Sequence, residues 1–160
     1  MNDLIAETKA LLVAGTGGKA ALEQVLIAVL VHFKSQTGTI HRLETEKNVL
    51  HLAAHLGLPP ALLDVVKVIP SGKGIAGQVV ERGEPVTICN IQKDESGVAR
   101  PGAKQTGVGG ALCVPLRANG VIVGTIGIGT TREYQYTPEE TKLLEEVGRL
   151  VGDSMSKQAL

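Results

Sequence analysis

Apolar positions recur at helical spacing near both ends of this chain and at strand-like spacing between them, which predicts helices flanking a sheet. A first helical pattern covers Leu4 to Val13 and stops at the glycine-rich run Ala14 to Lys19. A second begins near Lys19 and sets Leu22, Val25, Leu26, Val29, Leu30 and Phe33 on one stripe. Two β-rich runs follow, TGTIHRL and NVLHLAA, joined by the polar ETEK as a hairpin. Pro59-Pro60 ends that unit, and residues 61–66 suit one or two helical turns. A short helix, Ile75 to Glu81, is framed by glycines, stops at Arg82-Gly83 and leads into the β-rich segment Pro85 to Ile91. Residues 90–109 are polar, glycine-rich and without period, and a connection of that length in a compact domain is usually functional or mobile. The runs ALCVPLR and VIVGTIGIG then flank Asn119-Gly120, the strongest short-range hairpin signal in the chain. A last helix opens at Thr137-Pro138-Glu139-Glu140, which fits an N-cap, an N1 proline and a capping box. Its stripe is Leu143, Leu144, Val147, Leu150, Val151 and Met155.

This order predicts an α+β fold. A central, mostly antiparallel sheet of five or six strands carries the long N- and C-terminal helices on one face. The short helices and the long loop cover the other. Residues 1–18 read as an N-terminal helix and joint, and 19–156 as a single domain with no internal repeat.

Composition narrows the function. Sixteen basic and sixteen acidic side chains cancel, and the chain holds one Phe, two Tyr and no Trp. Nucleic-acid binders need a basic face, and single-strand platforms need exposed aromatics, so neither is expected. The longest apolar run, Val25 to Val31, is far below a membrane span, and the N-terminus lacks the apolar core of a secretory signal. The expectation is a cytoplasmic protein with two reduced thiols and no cofactor.

Four motifs in their order make the chain resemble a GAF domain, a small-molecule-sensing relative of the PAS fold. TGTIHRL with VLHLAAHLGLPP is similar to that family's first hairpin and its A-x-x-G-L-P exit. GKGIAGQVVERGEPVTI resembles its G-x-G-I-A-G-x-V helix and G-x-P-V strand start. LCVPLRANGVIVGTIGI resembles its C-V-P-L…G-x-x-I-G-V hairpin, and YTPEE its F-T-x-E-D helix start. The resemblance spans about residues 19 to 153. It departs at Cys89-Asn90-Ile91, where many members show Asp. It also lacks a complete N-K-x-F-D-E signature, the bilin-attachment cysteine context, and the loop cysteines of free-methionine-sulfoxide reductases, since residues 91–109 contain no Cys.

The resemblance implies a sensory module whose pocket lies between the sheet, the helix Gly74 to Glu81 and the loop Asn90 to Gly109. Ile75, Val79, Ile88, Asn90, Ile91, Arg100, Leu112 and Val114 are its candidate lining. Lys93, Arg100 and Lys104 make the loop slightly basic, and the Arg100 fork suits a carboxylate or phosphate, so a polar or anionic ligand is expected. The alternative for Arg100 is an ordinary solvated loop arginine. Cys89 and Cys113 sit at neighbouring strands and raise a redox role, against the commoner buried structural thiol. His41, His51 and His55 suggest a metal, but a four-residue loop would pair position 41 with 50 and send His51 to the opposite face. Residues 14–20 lack the spacing of a phosphate loop, and the glycines at 120, 124, 127 and 129 read as strand twist, bulge or close backbone approach.

No nucleophile elbow or catalytic pair is visible. The expected function is therefore a non-enzymatic sensor that homodimerises through its terminal helices and signals to a partner protein in trans. A thiol-dependent reductase and a ligand-free dimerisation module are the alternatives.

Overall fold

The computed structural model describes residues 2–14, 18–93 and 109–158. Helix α1 (Asn2–Ala14) and helix α2 (Lys19–Phe33) come first. Gly18 at the N-cap of α2 offers no side-chain cap. The helix is instead held by its stripe: Val25, Leu26 and Val29 are completely buried, and burying each such side chain stabilises by roughly 1.5–3 kcal/mol, against about 1 kcal/mol for a cap. Strands β1 (Thr37–Glu44) and β2 (Val49–Leu56) form the first hairpin, followed by α3 (Pro60–Val66), β3 (Val68–Pro70), α4 (Gly74–Arg82) and β4 (Val86–Ile88). After a 3₁₀ turn at Ile91–Lys93 come β5 (Ala111–Ala118), β6 (Val121–Gly129) and α5 (Pro138–Gln158).

The six strands order as β3-β2-β1-β6-β5-β4, antiparallel at every pairing. Asn119 and Gly120 both take positive φ, at 53° and 80°, as the two central positions of a type I′ turn require. One face of the sheet meets α2 and α5, and α1 packs against those two helices. There Ile40, Leu112, Val114, Leu116, Ile126 and Ile128 pack with Leu22, Leu26, Leu144, Val147 and Val151 in the main core. Helix α5 starts as its sequence predicts: the Glu140 N–H donates to Thr137 Oγ1 at 3.1 Å, and the Thr137 N–H donates to Glu140 Oε1 at 2.8 Å. Helices α3 and α4 lie on the opposite face.

Two features differ from the sequence expectation. Strand β3 was not foreseen, because three residues show no period; it is pinned by Leu50↔Ile69 at the edge of β2. The first hairpin is also shifted, since His41 pairs with Leu52 and Leu43 with Leu50. The cause is Asn48, whose φ of 55° places it in the turn instead of at the head of β2. His51 then lies opposite Arg42, so it still faces away from His41.

Candidate functional site

The face away from the long helices carries a bowl, and its origin is legible in the strand registers. Three rows of side chains cross it. The first reads Thr37–Gly129–Ala111–Ile88, the second Thr39–Gly127–Cys113–Val86, and the third His41–Thr125–Pro115. In two adjacent rows the central strand, β6, contributes glycine, so the middle of the sheet has no side chain where its neighbours do. A Cβ built on Gly127 would meet Cys113 Sγ and Thr39 Oγ1 at 3.5 Å and Cys113 Cβ at 3.7 Å, all ordinary contact distances. A methyl group at 127 would therefore be accommodated without a clash.

Helices α3 and α4 roof the depression. Leu62, Val65 and Val66 of α3, with Leu58 and Ile69, cover one side; Gly74, Ile75 and Ala76 of α4, with Ile91, cover the other. Close packing fixes the α4 end. A Cβ on Gly77 would come within 2.7 Å of the Pro70 carbonyl oxygen. Gln78 Nε2 donates to the Gly72 carbonyl at 2.8 Å, and the Gly72 N–H donates to the Gly77 carbonyl at the same distance. The glycines of SGKGIAGQ thus dock the helix against β3, and the cavity, which is open to one side, measures about 170 Å³.

Its polar groups are few. His41 is buried, and its Nε2 lies 2.9 Å from the Val66 carbonyl oxygen. A carbonyl only accepts, so Nε2 carries the proton and Nδ1 is left as an acceptor. Nδ1 has no hydrogen-bond partner, while the hydroxyl of Thr125, its cross-strand neighbour, lies beside the Cys113 thiol. Burial lowers the imidazole pKa, against the pull of the Val66 bond, so the ring is neutral at pH 7. Burial likewise pushes the Cys113 thiol up to about 12. No described lining residue is Asp, Glu, Lys or Arg.

Of the residues expected to line the pocket, Ile75 and Ile91 do, and Leu112 borders it although its side chain belongs to the helix-side core. Val114 is a correction: it points into the helix-side core with Leu116 and Ile126. The residue facing the bowl is Cys113, because strand alternation turns 112 and 114 the other way. Val79 and Ile88 stand behind the lining, packed with Ile75 in two small clusters. Asn90 serves the rim: its Nδ2 donates to Glu133 Oε1 at 3.1 Å, and its Oδ1 accepts the Gln92 N–H at 3.0 Å. Arg100, with Asp94, Lys104 and Gln105, lies outside the described residues.

The cysteines are free, Cys89 exposed and Cys113 buried. Val86 is the residue opposite Cys113, which leaves Cys89 three positions along and on the other face. At about 3.3 Å per residue that offset exceeds the reach of a disulfide. What sequence reasoning missed is His41, Thr37, Thr39 and the two central glycines. The signal was present, since apolar strands carrying glycine at alternate positions leave a hollow on one face.

The bowl is tied to the helix ends by backbone. Ile91 N–H donates to the Gly109 carbonyl and Gly109 N–H to the Thr130 carbonyl, each at 2.7 Å. Gln36 Oε1 then accepts from the Thr130 hydroxyl and from the Thr131 N–H, both at 2.8 Å. Next to these, the Ser35 and Tyr136 hydroxyls bond at 2.7 Å in a buried contact between the end of α2 and the start of α5.

A protein-family comparison matches residues 19–156 to the GAF domain, and the chain belongs to that family. Its curated relatives include the Nif-specific regulatory proteins of Azospirillum lipoferum and Azospirillum brasilense, each 26% identical over 140 residues. The match covers 84% of this chain and only 22% of either regulator, so the chain spans about a fifth of their length. Among solved structures, the GAF domain of an Acinetobacter phosphoenolpyruvate-protein phosphotransferase superposes with a TM-score of 0.82 at 18% identity, covering 98% of this chain and 93% of that one. The free methionine-R-sulfoxide reductase of Neisseria meningitidis, solved with its substrate, gives 0.81 at 18% identity, covering 98% and 90%. At such identity these structures share the fold. No helix among the described residues is long and apolar enough to cross a membrane.

Proposed function

We propose that this GAF domain is a non-enzymatic sensory module that binds a small molecule in the bowl beneath α3 and α4. The observation that carries the reading is an apolar bowl beneath α3 and α4, with a buried histidine and two threonines in its lining. A concave apolar pocket with a few polar groups is the ordinary form of a small-molecule site. Occupancy acts through Ile91, the backbone bonds by way of Gly109 to Thr130, and the bond from the Thr130 hydroxyl to the Gln36 side chain, shifting the arrangement of α2 and α5. The terminal helices join two copies of the chain, and a partner protein reads the change. Support for the regulatory role comes from the Nif-specific regulators that share the domain.

A thermal-shift screen of metabolites tests this. A ligand present at about 100 times its Kd adds about 2.7 kcal/mol, several degrees for a domain of this size. A chain that shows no shift with any compound, together with no density in the cavity of a crystal grown with the screen, would favour a pure dimerisation domain. The reductase reading draws on the structural likeness to the Neisseria enzyme. It needs a reactive thiolate, whereas the one cysteine at the bowl is held protonated far above neutral pH. Thiol-dependent reduction of methionine sulfoxide, abolished by Cys113→Ser, would restore that reading.

A further inference from the structure

The lining of the bowl says more about its occupant than the fold does. Among the described residues it offers aliphatic side chains, two threonines, one thiol and one imidazole, with no ionised group. A carboxylate or phosphate entering these surroundings would give up its hydration and meet no cation among the described residues, a penalty its apolar part does not offset. The imidazole of His41 is fixed in one tautomer by the Val66 carbonyl and brings no positive charge to the lining. Size sets a further limit. An apolar cavity of about 150 Å³ holds a benzene-sized molecule, and this one measures about 170 Å³. Residue 127, without a side chain, is part of its floor.

From these observations we infer that the bowl takes a compact, uncharged, largely apolar molecule of one or two small rings, seated on Gly127 with His41 at its edge. The inference rests on the reading of the bowl as the ligand site and departs from the polar or anionic ligand that Arg100 and its neighbours suggested.

Nitrobenzene and benzoate make a matched test, since they are planar, nearly isosteric and differ by one full charge. Each is titrated into the full chain at pH 7, followed by amide chemical shifts. Nitrobenzene is expected to perturb the amides of Gly127, Cys113 and Ile75 in a saturable way, with benzoate at least about tenfold weaker. Gly127→Val, whose side chain fills the hollow, is expected to weaken nitrobenzene at least about tenfold while circular dichroism stays native. If that variant fails to fold, Gly127→Ala takes its place, because its Cβ finds only ordinary contacts. Benzoate binding as tightly as nitrobenzene would overturn the inference and leave the site intact. Nitrobenzene binding that ignores residue 127 would overturn the placement. No saturable binding of either probe would overturn both the inference and the reading of the bowl as a ligand site.

Discussion

His41 condenses the physics of the site into one side chain. Its ring is 2% exposed and sits under the carbonyl of Val66, so charging it means placing a cation in an apolar wall. Its folded pKa is therefore below the ordinary value of 6.5. The sign follows from linkage: the unfolded chain binds the proton more readily, so the stability contributed by neutral His41 is complete above about 6.5 and is lost as the pH falls below it. The expected outcome is a steeper loss of stability between about pH 6.5 and 5 in the native chain than in His41→Gln, by up to about 1.4 kcal/mol per pH unit. Glutamine keeps a donor near Val66 but cannot be protonated. Denaturant melts of both proteins across that range check this, and parallel curves would refute it.

At the scale of elements, local signals decided the ends and tertiary packing decided the faces. The start of α5 is written in four consecutive residues, and the reciprocal bonds between Thr137 and Glu140 appear as the capping box requires. Removing the hydroxyl in Thr137→Ala should cost about 1 kcal/mol, which lowers the thermal midpoint by about 2–4 °C in a domain this size. The measurement is a thermal melt monitored by circular dichroism. Helix α4 shows the other case. Its glycine frame was visible, but only the packing of Gly77 on the Pro70 carbonyl explains why glycine stands there. The shift of the first hairpin came from one residue, Asn48, choosing the left-handed region. Sequence favours that for Asn without requiring it. Strand β3 is the same lesson at smaller size, because Val68–Pro70 becomes a strand only when β2 supplies an edge.

Taken as a whole, the molecule buries one stripe of α2 against the sheet and leaves another uncovered. Ile27 is 45% and Val31 74% exposed, four residues apart on the outer face of α2. Leu11 of α1 lies beside them along one groove. Such a stripe suits the proposed homodimer. The expectation is a dimer by sedimentation velocity, converted to monomer by Val31→Glu with the circular dichroism spectrum unchanged. A native chain that stays monomeric at high concentration would sink the proposal. The Ser35–Tyr136 bond and the Gln36 contacts join the ends of α2 and α5 to the loop that follows β6.

The sequence by itself determined the helices at the two ends, the Asn119-Gly120 hairpin, the capping box and the family, because each depends on local periodicity or on turn and cap chemistry. It placed Ile75 and Ile91 at the pocket through the family's motif order. Only the tertiary structure decided which face of β5 and β6 looks into the cavity, and so exchanged Val114 for Cys113. A strand's pattern fixes that neighbours alternate, but where both faces are apolar it cannot say which one meets the long helices. The same ambiguity hid Gly127 and Gly129. Along the chain they weaken a strand, and across three strands they form part of the floor of the bowl.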